Sequence, residues 1–192
     1  MVGELAVGEY AAATRISTVW YFIPTLLAAS LFPAIVNAKK QGEVFYMKRL
    51  QRYFDLNAAL AYTIVLPFSF LAPWLIELLF GGQYAGSASI LSIHIWTSLF
   101  VFTGVARGQY LITEGFFKFS LVATVTGAIV NIALNYYLIP LYSGVGAAVA
   151  TLVSQFISAL GTSFFYSKLS GICWLQLRSL FLIFRLKSVF SN

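Results

Sequence analysis

The chain has 192 residues, 60% of them hydrophobic and only 9% charged, and its mean hydropathy is +0.85. Soluble domains carry about 25% charged residues, so a water-soluble globular fold is excluded and an integral membrane chain is expected. The formal net charge of +6 comes from 12 Lys and Arg residues set between apolar runs and near the C-terminus. That placement fits a membrane surface, and no continuous basic stripe supports nucleic-acid binding.

In chain order, five apolar runs reach the length of about 20 residues that a spanning helix requires: 16–36, 56–80, 87–106, 119–139 and 144–166. The sequence thus predicts an all-α polytopic membrane protein whose five transmembrane helices occupy a domain over residues 1–166, followed by a basic cytoplasmic tail over 167–192. The first run holds Pro24 and Pro33 and the second Pro67 and Pro73. Each proline removes a backbone hydrogen bond and bends its helix, which points to a curved wall or a bundle that changes shape. Between these runs, residues 37–55 put Tyr46, Met47, Leu50, Tyr53 and Phe54 on one helical face and Lys48, Arg49, Arg52 and Asp55 on the other. The segment reads as a helix lying on the inner membrane surface, or as a solvated loop whose charges only fix topology. In the tail, the apolar stretch from Ile172 to Phe184 is short for a span and is interrupted by Arg178, so it reads as an interfacial helix.

Orientation follows from the excess of Lys and Arg in cytoplasmic connections. Lys39, Lys40, Lys48, Arg49 and Arg52 follow the first run, Arg107 and Lys118 the third, and Lys168, Arg178, Arg185 and Lys187 the fifth. The connections 81–86 and 140–143 carry no charge, so eleven of the 12 basic residues fall on one side and only Arg15 does not. One miscounted helix would scatter this pattern, and it places the C-terminus in the cytoplasm.

The last two runs carry polar stripes. Ser120, Thr124, Gly127, Asn131 and Asn135 share one helical face, and Gly144, Ala148, Thr151, Gln155, Ser158 and Thr162 share another. Small residues let helix backbones approach, and amides in a bilayer find partners only against another helix or a wet cavity. Close packing accounts for Thr124, Gly127 and Ala148, whereas Asn131, Asn135 and Gln155 are candidates to line a substrate path. Two ionisable residues join them as candidates. Arg15 stands at the outer end of the first run, either snorkelling or pairing with an anion, and His94 lies about two turns into the third, either satisfied within the bundle or functional. Glu77 stands near the outer end of the second run.

The chemistry of an enzyme is missing from the pattern. No paired carboxylates, nucleophile elbow or phosphate-binding glycine loop stands out, and the lone Cys173 permits no disulfide and matches no metal spacing. A membrane enzyme acting on sugars, such as a glycan polymerase or ligase, would be expected to expose a substantial outer loop, and the outer turns here are short.

The stretches VGEYAAATRIS (Val7 to Ser17), the charged linker, RGQYLITEG (Arg107 to Gly115) and NIALNYYLIPLYSGVGAAVATLVSQ (Asn131 to Gln155) resemble the C-terminal half of the polysaccharide transporter family. Its members include the O-antigen flippases of Gram-negative bacteria, and it shares a superfamily with drug and metabolite exporters and with peptidoglycan lipid flippases. The resemblance runs from Met1 to Lys168. It implies a two-bundle transporter in the bacterial inner membrane, with the five helices here forming most of one six-helix bundle. It implies transport of undecaprenyl-pyrophosphate-linked oligosaccharide from the inner to the outer leaflet, with no cofactor, no metal and no covalent chemistry. The expected partners are the lipid-linked oligosaccharide, membrane lipids and the N-terminal helices of the same transporter. In this alignment a cavity arginine of the family falls at Arg15. The missing bundle makes a C-terminal fragment the expectation, with a complete five-helix protein acting as a dimer as its alternative. Within the superfamily, a drug or metabolite exporter is the alternative function, and Glu77 is then the candidate for ion coupling.

Overall fold

A computed structural model describes residues 3–164, 166 and 169–182. Lys168, Arg185 and Lys187 of the predicted basic tail lie outside the described residues. Among the described residues every regular element is helical: α1 (Glu4–Thr18), α2 (Phe22–Lys40), α3 (Glu43–Phe80), α4 (Ser87–His94), α5 (Thr97–Thr113), α6 (Phe117–Phe156), the single turn α7 (Thr162–Phe164) and α8 (Ser170–Leu180). Among the described residues, four helical stretches are long and apolar enough to cross a membrane: Glu4–Lys40, Glu43–Phe80, Ser87–Thr113 and Phe117–Phe164.

The first of these is longer than the apolar run that announced it. Helices α1 and α2 are joined through a 3-10 turn at Val19–Tyr21, where Pro24 has no N–H to give to the carbonyl of Trp20 four residues back. The 3-10 turn shortens the local ladder at that point. Helix α3 passes through Pro67 and Pro73 and α2 through Pro33 without losing helical assignment.

Residues 37–55 form neither a separate surface helix nor a loop. Helix α2 continues to Lys40, Gly42 turns the chain at φ 120, a conformation that disfavours any side chain, and α3 begins at Glu43. At about 1.5 Å per residue, the 38 residues of α3 span about 57 Å, well beyond the apolar core of about 30 Å. Its first turns therefore extend the bundle. The predicted apolar face is real, but it packs on protein: Tyr46, Leu50, Tyr53 and Phe54 are buried with Ile35, Ala106, Tyr110, Leu111, Leu169 and Ile172. That second core exists because the third stretch continues to Thr113, two turns past the predicted boundary at 106, and so supplies Tyr110 and Leu111.

Helix α6 carries a sharp reversal. Ser143 adopts φ 50, ψ −130, outside helical space, three residues after Pro140. The arms on either side pack antiparallel. Asn131 Nδ2 lies 3.2 Å from Ser154 Oγ, although 23 residues of straight helix would separate them by about 35 Å. A Cβ on Gly127 would stand 2.8 Å from the Cβ of Ser158, and one on Gly146 would collide with the carbonyl of Leu138. The pairs 127/158, 131/154 and 138/146 are nearly symmetric about Ser143, as a hairpin requires.

Contacts define two ends of the bundle. At one end Gly8 faces the ring of Tyr84, Glu9 lies over Gly86, and Tyr10 and Ile90 meet Gly144. At the other, Lys39 pairs with Glu114 at 2.9 Å and donates to the carbonyl of Thr113 at 3.2 Å. Uncharged connections cluster at the first end and basic connections at the second, in keeping with the alternation read from the charges.

Helix α8 departs from the interfacial helix expected for the tail. It packs against α3 and α5: Gln176 Nε2 donates to Thr103 Oγ1 at 3.2 Å, Gln51 Nε2 donates to the carbonyl of Leu175, and Tyr62 donates to that of Leu180 at 2.6 Å. Ile172, Cys173, Gln176 and Ser179 are buried in that contact. Gln176 finds its partner in a neighbouring helix, which a helix at the membrane surface would not need, and Ser179 donates within α8 to the carbonyl of Gln176 at 2.7 Å.

Candidate functional site: a polar groove on the folded helix

The two arms of α6 do not bury their polar stripes completely. Thr124, Gly127, Ala128, Asn131, Thr151, Ser154, Gln155 and Ser158 line an open groove of about 410 Å³. A neighbouring hollow of about 330 Å³ shares Thr124, Gln155 and Ser158 with it and continues across α5 past Phe100, Gly104, Arg107 and Gly108 to Tyr21. The two form one continuous depression along α6 and α5, within the range of about 300–1,000 Å³ typical of ligand sites. Between the arms of α6 its lining is mostly hydroxyl and amide, whereas across α5 it includes Phe100, Val101, Val105 and Leu111.

Local structure explains the exposure of these groups. Glycine at 127 lets the arms approach until an added Cβ would stand 2.8 Å from that of Ser158, and Thr124, one turn earlier, is exposed beside this contact. The close-packing reading therefore holds for Gly127 and Ala148, both buried, while Thr124 lines the groove. The amide of Asn131 spans both roles, since its Nδ2 donates to Ser154 while its side chain lines the depression.

The five residues singled out from the sequence are not brought together. Asn131 and Gln155 line the groove. Asn135 stands behind, donating from Nδ2 to Asn131 Oδ1 at 2.9 Å and so fixing that amide's orientation. Arg15 is exposed on α1 and lines neither hollow. His94 is only 4% exposed and sits between α1 and α4. There Ser17 Oγ and His94 Nδ1 share a hydrogen bond at 2.8 Å, and Ser17 Oγ also lies 3.1 Å from the carbonyl of Thr14. The ring of Tyr10 meets the imidazole edge-on at 6.0 Å. His94 is thus satisfied inside the bundle, next to the break between α4 and α5 at Ile95 and Trp96. Glu77, the coupling candidate of the exporter reading, is exposed and away from the groove.

Sequence reasoning missed Arg107. By sequence it reads as a loop charge, yet it lies within α5, only 6% exposed, and lines the second hollow. One terminal nitrogen, Nη1, donates to Thr162 Oγ1 and to Ser163 Oγ, both at 3.0 Å. The signal was present in the apolar triplet Tyr110, Leu111 and Ile112 after it, which continues the helical period beyond the arginine. The hydroxyls that receive it are 55 and 56 residues away and carry no local trace. Among the described residues no group of three or more His, Cys, Asp or Glu side chains is arranged to hold a metal ion.

Two curated proteins are similar to this chain. A capsular polysaccharide biosynthesis protein, CapF, of Staphylococcus aureus is 30% identical over 100 residues, covering 52% of this chain and 25% of the relative. A probable flippase, AglR, of Haloferax volcanii is 27% identical over 175 residues, covering 83% of this chain and 34% of the relative. The chain spans about a quarter to a third of the length of these relatives. No family model matches it, and no solved structure does. The four apolar helices among the described residues make the chain a multi-pass membrane protein, similar in sequence to proteins named for capsular polysaccharide biosynthesis and as a probable flippase.

Proposed function

We propose that this chain forms part of the wall of a flippase that moves a lipid-linked oligosaccharide across a cytoplasmic membrane. In this reading the arms of α6 are separate spans, which makes five, and they form most of one six-helix bundle whose open groove faces a second bundle across the substrate path. The observation that carries the proposal is the groove itself, a hydroxyl- and amide-lined surface in a chain that is 60% hydrophobic. Such a surface is costly against lipid tails and suits a glycan, which offers many hydroxyls. Undecaprenyl-pyrophosphate-linked repeat units, such as those of O-antigen, are the substrate class, with the prenyl chain left in the bilayer. The names of the two relatives support the reading, as does the gathering of basic connections at one end, which we assign to the cytoplasm together with the C-terminus. Transport needs no covalent step, so the chain is not an enzyme in this account.

A drug or metabolite exporter coupled to an ion would require a carboxylate on the path, and none of the residues lining the groove is acidic. Deleting the gene tests the proposal. Lipid-linked oligosaccharide should accumulate and surface glycan should fall. Normal surface glycan together with altered drug susceptibility would refute it in favour of the exporter.

A further inference from the structure

We infer that Arg107 is the anion-recognition residue of this groove, taking the diphosphate of a prenyl-linked substrate through the free edge of its guanidinium. The inference rests on the flippase reading for the identity of the ligand. Its geometry stands on four observations about one side chain.

First, Arg107 is 94% withdrawn from solvent, since only 6% of it is exposed, yet it lines the hollow that continues the groove across α5. Second, among the described residues it forms no ion pair with any carboxylate. Its neighbours are the hydroxyls of Thr162 and Ser163 and the thiol of Cys173, a weak and uncharged acceptor. Third, its donors are unequally used. Nη1 donates to both hydroxyls, whereas Nε is buried with no partner. An arginine presents Nε–H and Nη2–H along one side as a fork matched to two oxygens of a carboxylate or phosphate. With Nη1 anchored on the last turns of the fifth apolar run, that fork carries no hydrogen bond among the described residues. Fourth, Gly104 and Gly108 flank the arginine on the groove side of α5, and a Cβ on Gly108 would meet nothing within 4 Å. An approaching group therefore has room.

Depth agrees with the assignment. Helix α5 ends at Thr113, six residues after Arg107, or about 9 Å further along the axis. That end carries the Lys39 and Glu114 pair and is the basic end of the bundle. Arg107 thus stands near the headgroup level of the leaflet from which a flippase loads, while Gln155 lies where the two hollows meet and Asn131 farther along the same depression, where the glycan would sit. Arg15, exposed on α1 and away from the groove, has none of these features.

The test uses the purified chain in neutral-lipid nanodiscs, titrated with farnesyl diphosphate, farnesol and inorganic pyrophosphate and read by native mass spectrometry. The wild type should bind farnesyl diphosphate at least tenfold more tightly than either of the others. Arg107→Gln should reduce the preference over farnesol to within about twofold, and Arg107→Lys should keep part of it, since a point charge remains but the fork is lost. Arg49→Gln, at an exposed arginine outside the groove, should keep it whole. Should Arg107→Gln fail to fold, Gly108→Leu decides, because it fills the hollow beside an intact guanidinium and should abolish the preference at unchanged melting temperature. Retention of the preference in Arg107→Gln, or in Gly108→Leu, overturns the inference. Equal affinity for inorganic pyrophosphate overturns it too, by assigning the site to a soluble anion. These outcomes are independent of the gene deletion. Failure here with glycan accumulating in the deletion strain removes Arg107 alone, whereas a deletion strain with normal glycan removes the flippase reading whatever Arg107 binds.

Discussion

Replacing Gly127 by alanine tests the helix pairing that builds the groove. The added Cβ would stand 2.8 Å from Ser158 Cβ, 3.2 Å from its Oγ and 3.4 Å from the carbonyl of Ser154. Carbon atoms in contact prefer about 3.5–4.0 Å, and the obstacle is a Cβ fixed to its own helix, so the arms must separate by roughly 0.7–1.2 Å. Overpacking of this kind costs about 1–3 kcal/mol. The same movement stretches the bond between Asn131 and Ser154 from 3.2 Å to beyond hydrogen-bonding range, a loss of about 0.5–1.5 kcal/mol. Against this, alanine improves helix propensity by up to about 1 kcal/mol. The losses win, and Gly127→Ala should be about 0.5–3.5 kcal/mol less stable. Tryptophan fluorescence during SDS-driven unfolding in mixed micelles measures the change. Gly108→Ala is the matched control, because its Cβ meets nothing within 4 Å and only the propensity gain of about 0.5–1 kcal/mol remains. Adding Ser158→Gly to Gly127→Ala should recover most of the loss. If Gly127→Ala proved as stable as Gly108→Ala, the close approach of the arms would be refuted.

Ser143→Gly should raise stability by up to about 1 kcal/mol in the same assay, since serine at φ 50, ψ −130 occupies a conformation that suits glycine, whereas Ser143→Val should lower it. Thr162→Val combined with Ser163→Ala should cost about 2–4 kcal/mol, because it orphans a buried guanidinium nitrogen that donates to both hydroxyls at 3.0 Å; a neutral result would show that water replaces them. With Cys173 replaced, cysteines at Gln83 and Ser143 should react with an impermeant thiol reagent in intact cells and one at Gln41 should not, and labelling at Gln41 alone would invert the orientation.

Much of the architecture is legible in the sequence because a bilayer penalises polarity so heavily that every exception is informative. The stripe through Gly127, Asn131, Thr151 and Ser158 stands out against its apolar background, and the structure puts these residues along the contact between the arms and on the groove beside it. What stayed hidden depends on partners far along the chain. The face with Tyr46, Leu50 and Tyr53 has the same pattern whether it meets lipid or protein, and only the length of α5 and the position of α8 decide that it meets protein. Thr124 and Gly127 share a helical face in any helical projection, yet a rotation set by the contact at Ser158 buries one and exposes the other. Arg107 looks like a loop charge until Thr162 and Ser163 arrive beside it. Local pattern reports the solvent a residue tolerates, and long-range packing determines which neighbour supplies it.

The reversal at Ser143 also governs how this region enters the membrane during synthesis. The first arm emerges from the ribosome carrying Asn131 and Asn135, and although these amides bond to one another, the outward partner of Asn131 is Ser154, 23 residues later. At about 5–20 residues per second, the first arm waits about 1–5 s for the group that completes it. A single-residue turn leaves no polar segment to be exported between the arms and no slack to hold them apart. A mutation that slows synthesis or lengthens the turn should therefore act first on the pairing of the two arms.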